Sequence, residues 1–142
     1  MMNFFVTKLV VPLHRWLYEV SGGRIGSNLG GIPALLLYVK GRKSGKQYTM
    51  PLAYHREGEN YFVVASNSAL PTNPGWYYNV LADDSVAIRA GTNKMRVQAR
   101  ELTGSEREDV WQRAIQTNPA WDGYRQKTDR TIPLIELRPV DA

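Results

Sequence analysis

The sequence contains no cysteine and only two histidines among its 142 residues. The lack of cysteine excludes disulfides, thiolate zinc sites, iron–sulfur clusters and a cysteine nucleophile. His14 and His55 have no carboxylate at the spacing of metal ligands, so neither a metal site nor a Ser-His-Asp hydrolase is expected. His55 is interpreted as a surface residue whose hydrogen bonds are satisfied. Neither G-x-G-x-x-G nor a P-loop is present, which disfavours a nicotinamide Rossmann site and ordinary nucleotide hydrolysis.

Acidic residues are nearly missing from the first third of the chain. Residues 1–50 contain one acid, Glu19, against seven lysines and arginines. Since the chain has 18 basic and 13 acidic residues in all, the remainder holds eleven basic and twelve acidic ones and is close to neutral. The net charge of +5 therefore belongs to the first third, where a preference for anions is expected.

A long hydrophobic run is also missing. The longest uncharged stretch near the N-terminus covers residues 1–7, which is too short for a spanning helix and lacks the features of a signal peptide. The sequence therefore predicts a cytoplasmic protein. An amphipathic helix is predicted from apolar residues spaced by three and four, namely Leu9, Leu13, Trp16, Leu17 and Val20. This helix either packs on the protein's own core or lies in a lipid interface at the inner face of the membrane, with Lys8 and Arg15 at the headgroups.

The length predicts one domain, in which residues 1–33 form the N-terminal helix and a glycine-rich connector and residues 34–142 form the main body. Six strands are predicted, at residues 34–40, 47–56, 61–66, 85–90, 94–102 and 132–138. Helices are predicted near residues 74–82, from Thr103 to Pro119, and over residues 121–128, with Thr103 and Glu106 forming a capping box. Strands joined by hairpins indicate a mainly β (α+β) protein with an antiparallel sheet or barrel.

The first candidate site is the basic turn Gly41-Arg42-Lys43-Ser44-Gly45-Lys46. Successive amides in a tight turn can bind an anion, and arginine, lysine and serine side chains add donors and charge. The strand that follows, residues 49–54, offers an apolar surface for a flat ring. Pro51 within it removes a ladder donor, which indicates a bulge or an edge strand.

Two further polar and aromatic clusters follow. In residues 73–79, Trp76, Tyr77 and Tyr78 cannot all face one helix stripe, so at least one ring is expected to point away from the core, with Tyr77 packing inward. In the later cluster, Asp129 and Arg130 are interpreted as a brace at a helix end.

Five motifs then occur in the order and spacing of a known family. They are Gly-Arg-Lys-Ser-Gly at 41–45, Pro51-Leu52, Ala65-Ser66-Asn67, Asn73-Pro74-x-Trp76-Tyr77-x-Asn79, and Tyr124-x-x-x-Thr128-Asp129-Arg130-x-Ile132-Pro133. From about Leu35 to Val140 the chain resembles the deazaflavin-dependent nitroreductase family, which uses the 5-deazaflavin coenzyme F420. The resemblance implies an antiparallel split β-barrel of about six strands, related to flavin mononucleotide-binding oxidoreductases, with flanking helices.

The resemblance also implies roles for individual residues. Ser66 and Tyr124 would hydrogen-bond and protonate the acceptor, and Trp121 would wall its pocket. Arg42, Lys43 and Ser44 would hold the phosphate and oligoglutamate tail of the cofactor. The full set of implied cofactor-binding residues is Arg42, Lys43, Ser44, Gly45, Tyr48, Thr49, Met50, Pro51, Leu52, Ala53, Val64, Ala65, Ser66, Asn67, Gly75, Trp76, Tyr77, Tyr78 and Asn79.

The implied reaction is hydride transfer from the reduced deazaflavin to a quinone, a nitroaromatic compound or a similar acceptor, without a metal. Tyr48, where many members have a basic residue, and Asn118 and Trp121, where many have an aromatic one or tyrosine, depart from the family pattern. Alternatives are an oxidoreductase that binds flavin mononucleotide (FMN), a deazaflavin-binding protein without turnover, and a nucleic-acid-binding barrel. Nucleic acid is not expected, because the basic and aromatic clusters lie in different segments.

Overall fold

The computed structural model describes residues 28–29, 32–83 and 85–140. In this part of the chain the strands are β1 Asn28–Leu29, β2 Ile32–Lys40, β3 Gln47–Ala53, β4 His55–Glu57, β5 Asn60–Val64, β6 Ala87–Ala90, β7 Asn93–Glu101 and β8 Leu134–Pro139. The helices are α1 Gly75–Ala82, α2 Gly104–Thr117 and α3 Ala120–Gln126. Every strand pairing given by these residues is antiparallel, as the sequence predicts. The predicted N-terminal amphipathic helix lies outside the described residues.

The sheet follows the order β1-β2-β6-β7-β8-β5-β4, and β3 pairs with β2. Strand β2 is the middle of one half, and its residues 34–39 are all buried. Leu35 and Leu37 contribute to the larger core cluster, whereas Leu36 and Tyr38 point to the opposite face. The continuous apolar run of this strand thus reflects burial on both faces, while the alternating pattern of β7 reflects one wet face.

The single strand predicted at residues 47–56 is wrong, because the chain changes partner at Tyr54. Strand β3 pairs with β2, but β4 leaves it and pairs with β5. The amide of Tyr54 donates to the carbonyl oxygen of Pro33 (3.0 Å), and its ring packs edge-on against Tyr61 with centroids 5.2 Å apart. Residues 47–56, which look like one strand in the sequence, therefore belong to two halves of the sheet.

Pro51 lies on an edge strand, as predicted. Among the described strands β3 pairs only with β2, where Pro51 is opposite Leu36. An edge strand tolerates a residue that has no N–H to donate. No described strand therefore pairs with the outer side of β3.

The side-chain hydrogen bonds of the capping box predicted at the start of α2 do not form. Thr103 is the N-cap residue, but its hydroxyl makes no capping hydrogen bond. The Glu106 carboxylate instead accepts two hydrogen bonds from Arg100 of β7, at 2.8 and 2.9 Å. A bidentate guanidinium is a stronger partner for a carboxylate than a single amide, so the tertiary contact prevails over the local one.

The helices pack on the sheet over two separate hydrophobic clusters. Helix α1 packs on β2 and β7 and buries Trp76 and Val80. Helices α2 and α3 bury Trp111 and Trp121 in a second cluster that includes Phe62 of β5. None of the described helices is long and apolar enough to cross a membrane.

Candidate functional site

The basic turn joins β2 to β3 in a tight, internally bonded conformation. The amide of Gly41 donates to the carbonyl oxygen of Lys46 (2.7 Å), and that of Gly45 to the carbonyl oxygen of Gly41 (2.9 Å). Gly45 has φ +73°, a conformation that residues with a Cβ rarely adopt. A Cβ on Gly41 would lie 2.7 Å from the Tyr48 ring and 2.8 Å from Ser44 Oγ. The turn therefore favours glycine at position 45 for its backbone, and at position 41 a side chain would displace Tyr48 and Ser44.

Arg42 fastens this turn to helix α1. Its Nη1 donates to Asn79 Oδ1 at 2.7 Å and to the carbonyl oxygen of Gly75 at 3.4 Å, and its backbone amide also donates to Asn79 Oδ1 at 3.1 Å. The guanidinium carbon lies 5.1 Å from the centroid of the Tyr78 ring. All these partners are neutral, so Arg42 is held in place and no described acid compensates its charge.

A cavity of about 510 Å³ lies between the turn, β3 and α1. This volume is in the usual range for a cofactor or small-molecule site. Its lining is formed by Gly41, Arg42, Lys43, Ser44, Tyr48, Thr49, Met50, Gly75, Trp76 and Asn79. All of these except Gly41 are predicted cofactor-binding residues, so the structure brings the first and second sequence clusters together.

The donor set of this cavity fits an anionic cofactor that carries a flat ring. Lys43 forms no side-chain hydrogen bond or ion pair with the described residues, and the hydroxyl of Ser44 and the guanidinium of Arg42 stand beside it. Met50 and the half-exposed ring of Tyr48 provide apolar surface next to these charges. Phosphate and carboxylate groups would bind at the turn while an aromatic ring packs along β3.

The other predicted cofactor-binding residues lie outside that lining. Val64 and Ala65 are buried at the end of β5. Tyr77 donates a hydrogen bond from its hydroxyl to Glu101 (2.5 Å), which raises the pKa of Tyr77 to about 12. Its inward packing agrees with the prediction, and Tyr78 is the ring that points outward, with 42% exposure. The remaining predicted residues that do not line the cavity are Gly45, Pro51, Leu52, Ala53, Ser66 and Asn67.

Ser66 precedes an unusual turn. Its own backbone is right-handed, with φ −72° and ψ −33°. Residues 67–69 then have φ of 47°, 54° and 63°, three successive left-handed conformations without a glycine. The hydroxyl of Ser66 makes no hydrogen bond with the described residues. It is therefore available to a ligand.

Arg130 holds this segment from outside, which the sequence does not reveal. It donates to the carbonyl oxygens of Leu70 (2.8 Å), Ser66 (2.7 Å) and Ala65 (3.3 Å), and to Asn73 Oδ1 (2.5 Å). For Arg130 the interpretation as a brace at a helix end is wrong, because its guanidinium binds the segment after β5. No pattern in the sequence indicates these bonds, because three of the four acceptors are main-chain oxygens and Arg130 stands beside an acid, Asp129.

Two of the residues predicted to contact the acceptor, Trp121 and Tyr124, lie on α3. Trp121 is 4% exposed and packs in the second core, while Tyr124 is partly buried against the same cluster. Helix α3 contacts the turn at residues 67–69. Like that of Ser66, the hydroxyl of Tyr124 makes no hydrogen bond with the described residues. The two uncommitted hydroxyls thus belong to neighbouring elements.

His55 is satisfied, as predicted, but it is not a surface residue. Its Nδ1 lies 2.7 Å from Thr117 Oγ1, its Nε2 lies 2.9 Å from Glu57 Oε2, and its side chain is 11% exposed. Arg113 also bonds Glu57, and this guanidinium lowers the pKa of the carboxyl group. The cluster joins β4 to α2 and serves packing. Within the described residues no group of three His, Asp or Glu side chains could hold a metal.

Comparison with known proteins gives the family. Residues 10–139 match the model of the F420H(2)-dependent quinone reductase family. The F420H(2)-dependent quinone reductase Rv1261c of Mycobacterium tuberculosis is 34% identical over 132 residues, which cover 90% of this chain and 89% of the relative.

Solved structures agree. The F420-H2 dependent reductase FDR-A is 38% identical, with a TM-score of 0.69 over 75% of this chain and 94% of that one. A domain-swapped dimer is 34% identical, with a TM-score of 0.70 over 87% of this chain and 97% of the other. The predicted split-barrel fold, the oxidoreductase class and coenzyme F420 as cofactor are confirmed, and the family's acceptor is of the quinone type. The chain belongs to the F420H(2)-dependent quinone reductase family.

Proposed function

We propose that this protein transfers a hydride from reduced coenzyme F420 to a quinone, and to nitroaromatic compounds as a second acceptor class, with the cofactor in the cavity beside the basic turn. The observation that carries the proposal is the contact between Arg42 and Asn79, which aligns the turn with α1 along one cavity. When bound, the coenzyme supplies the hydride, and the quinone takes up that hydride and one proton to become a hydroquinone. The protein provides binding, orientation and the proton.

Arg42, Lys43 and Ser44 bind the phosphate and glutamate tail. Because Arg42 is bonded only to neutral oxygens, its charge remains available to an anion. Charge-assisted hydrogen bonds from a guanidinium are stronger than neutral ones and are often bidentate. Lys43 adds a second cation on the same turn.

The ring and ribityl chain of the cofactor lie along β3 and the start of α1. This surface combines an apolar side chain, Met50, with the ring of Tyr48 and the buried Trp76. The implied contacts at residues 64–67 and at Tyr78 extend the site past the cavity itself. A cofactor packed on this surface excludes water from the reacting face.

Ser66 and Tyr124 hydrogen-bond the acceptor oxygen, and Tyr124 donates the proton. The support for this assignment is that neither hydroxyl is committed to another described residue and that α3 contacts the turn after Ser66. Trp121 acts from within the core, where it fixes the position of α3. Its ring therefore supports the wall of the acceptor pocket, and the other residues of α3 line that pocket.

Titration of the purified protein with reduced and oxidised coenzyme F420, followed by fluorescence, tests the cofactor assignment, with FMN as the competing ligand. We expect binding of F420 and weak or no binding of FMN. Steady-state assays with a quinone and with a nitroaromatic compound then compare the two acceptor classes. Absence of F420 binding at tens of micromolar would remove the proposal, and quinone reduction without nitroreduction would restrict it to quinones.

We also propose that the N-terminal segment brings the enzyme to a lipid surface at the inner face of the membrane. The support is the sequence pattern alone, in which Phe4, Leu9 and Trp16 are accompanied by Lys8 and Arg15. Sedimentation with anionic and neutral vesicles, for the full chain and for a form without residues 1–20, tests it. Binding that survives the truncation would contradict the assignment.

A further inference from the structure

Arg130 makes an unusual set of contacts for a surface arginine. Its four acceptors are oxygens of Ala65, Ser66, Leu70 and Asn73, all on the segment between β5 and α1. All four are neutral, and no carboxylate of the described residues forms an ion pair with Arg130. Four bonds in different directions use the planar fork of the guanidinium, which the single ammonium group of a lysine cannot reproduce.

The segment held in this way has a backbone that needs external support. Residues 67–69 are left-handed although each carries a Cβ. Such conformations are unfavourable and persist where the surroundings over-determine them. The turn itself supplies the bonds from Ala69 N to Ser66 O (2.9 Å) and from Leu70 N to Asn67 O (3.0 Å). The side chain of Asn67 adds a bond from Nδ2 to the carbonyl oxygen of Thr72 (2.9 Å), and Arg130 adds four more from across the fold.

We propose that Arg130 is a positioning residue of the acceptor site, because it fixes the left-handed turn and thereby directs the Ser66 hydroxyl. The carbonyl oxygen of Ser66 accepts from both Ala69 N and Arg130 Nη2, so the peptide after Ser66 is held from two sides. The side-chain hydroxyl, which has no hydrogen-bond partner among the described residues, takes its direction from that peptide. The role of Ser66 rests on the function proposed above, whereas the anchoring of the turn does not.

The same guanidinium reaches toward the cofactor cavity through Asn73. The side-chain oxygen Oδ1 of Asn73 accepts a hydrogen bond from Arg130 Nη1 at 2.5 Å, and Asn73 Nδ2 lies 3.5 Å from the hydroxyl of Tyr78. The Tyr78 ring lies under Arg42 of the basic turn. Arg130 thus contacts Ala65 and Ser66 directly, where the acceptor and the implied ring contacts of the cofactor meet, and reaches the basic turn only at the end of this chain of contacts.

Hydrogen–deuterium exchange on the cofactor-free protein tests the anchor without relying on activity. Arg130→Ala and Arg130→Lys are expected to speed exchange in residues 65–73 by about tenfold or more, with peptides from β2 and α2 unchanged. Arg125→Ala is the matched control, since this nearby guanidinium bonds Glu108 at 3.0 Å and none of the turn. It is expected to leave exchange in residues 65–73 as in the wild type.

Kinetics give the second readout. We expect kcat for quinone reduction to fall roughly 10- to 100-fold in both Arg130 variants, because small misplacement of a reacting group carries that cost. The Kd of coenzyme F420 is expected to change by less than about fivefold, since the charges that bind its tail lie on the basic turn and residues 65–67 add only uncharged contacts. If Arg130→Lys, which keeps the positive charge, does not restore kcat, the planar geometry of the guanidinium is what the site needs.

Unchanged exchange in residues 65–73 of both variants overturns the proposal, even if activity falls. Faster exchange with wild-type kcat overturns the positioning role and leaves a purely structural anchor. Should Arg130→Ala fail to fold, Arg130→Lys carries the same comparison at retained charge. If the wild type binds no F420, the proposed function fails, while the exchange experiment still decides whether Arg130 holds the turn.

Discussion

The double substitution of Arg42 and Lys43 by alanine tests the basic turn most directly. The turn is expected to keep its fold, because the Arg42 amide still donates to Asn79 and both glycine-mediated bonds remain. Hydrogen bonds to charged groups contribute about 1.5–3 kcal/mol each. Arg42 already shares its Nη1 with Asn79, so it contributes at the low end, and exposure of Lys43 reduces its share further.

Together the two charges account for roughly 2–3 kcal/mol of the binding free energy, which corresponds to a Kd of coenzyme F420 raised about 30- to 150-fold. Fluorescence titration at about 0.05 M and about 0.5 M salt measures it, since screening weakens exposed charges. The wild type is expected to lose affinity with salt, and the double variant to show a much shallower dependence.

The matched control is the double variant Arg96→Ala with Lys127→Ala, which removes the same charge at exposed positions outside the cavity lining. It is expected to bind coenzyme F420 within about threefold of the wild type, because distant exposed charges are screened. Equal losses of affinity in the two double variants would show that only the overall charge matters and would refute the assignment of the turn. A wild-type Kd in the Arg42 and Lys43 variant would refute it as well.

Three further predictions concern the surroundings of the site. The bond of Tyr77 to Glu101 raises the Tyr77 pKa to about 12, so the stability it contributes is complete below pH 10 and is lost as the pH rises through 12. Alkaline unfolding of Tyr77→Phe should therefore lack this component, and an unchanged pH profile contradicts the contribution. Gly41→Ala places a Cβ 2.7 Å from a side-chain carbon and should weaken F420 binding with little change in Tm, because the side chains it meets can move; unaltered Kd contradicts this. Arg113 is the main cause of the lowered pKa of Glu57. The stability that this carboxylate contributes is complete above its ordinary pKa and is lost as the pH falls through its lowered pKa. Glu57→Gln should therefore reduce the dependence of stability on acidic pH, as monitored by circular dichroism.

Local patterns were sufficient for most of the fold. The buried run of β2, the hairpin at Gly58 and the glycine-bounded basic turn are set by residues close in sequence, and each was predictable. The failures arise where a partner distant in sequence prevails. Arg100 takes the carboxylate of Glu106 from the capping box, and the change of partner at Tyr54 divides one predicted strand.

The candidate site divides in the same way. The cavity lining was predictable because its two segments carry unusual compositions, one basic and one aromatic. The contact that supports Ser66 was not predictable, since Arg130 is 64 residues away in the sequence. Arg130 also stands beside Asp129, which suggests an ion pair that does not form among the described residues. Left-handed backbone at residues 67–69 is likewise invisible in a sequence that has no glycine there.

Charge counted along the sequence therefore located one half of the site and concealed the other. The near-neutral remainder of the chain suggests cations compensated by acids, and this holds around α2, where Arg100, Arg113 and Arg125 each pair with a glutamate. It does not hold for Arg130, whose bonds are all to neutral oxygens, nor for Arg42 at the basic turn. Neutral hydrogen bonds fix a guanidinium without cancelling its charge, so both arginines combine rigid placement with a remaining positive field. The proposed site, with an anionic cofactor at one end and an acceptor that gains negative charge at the other, would use that combination at both ends.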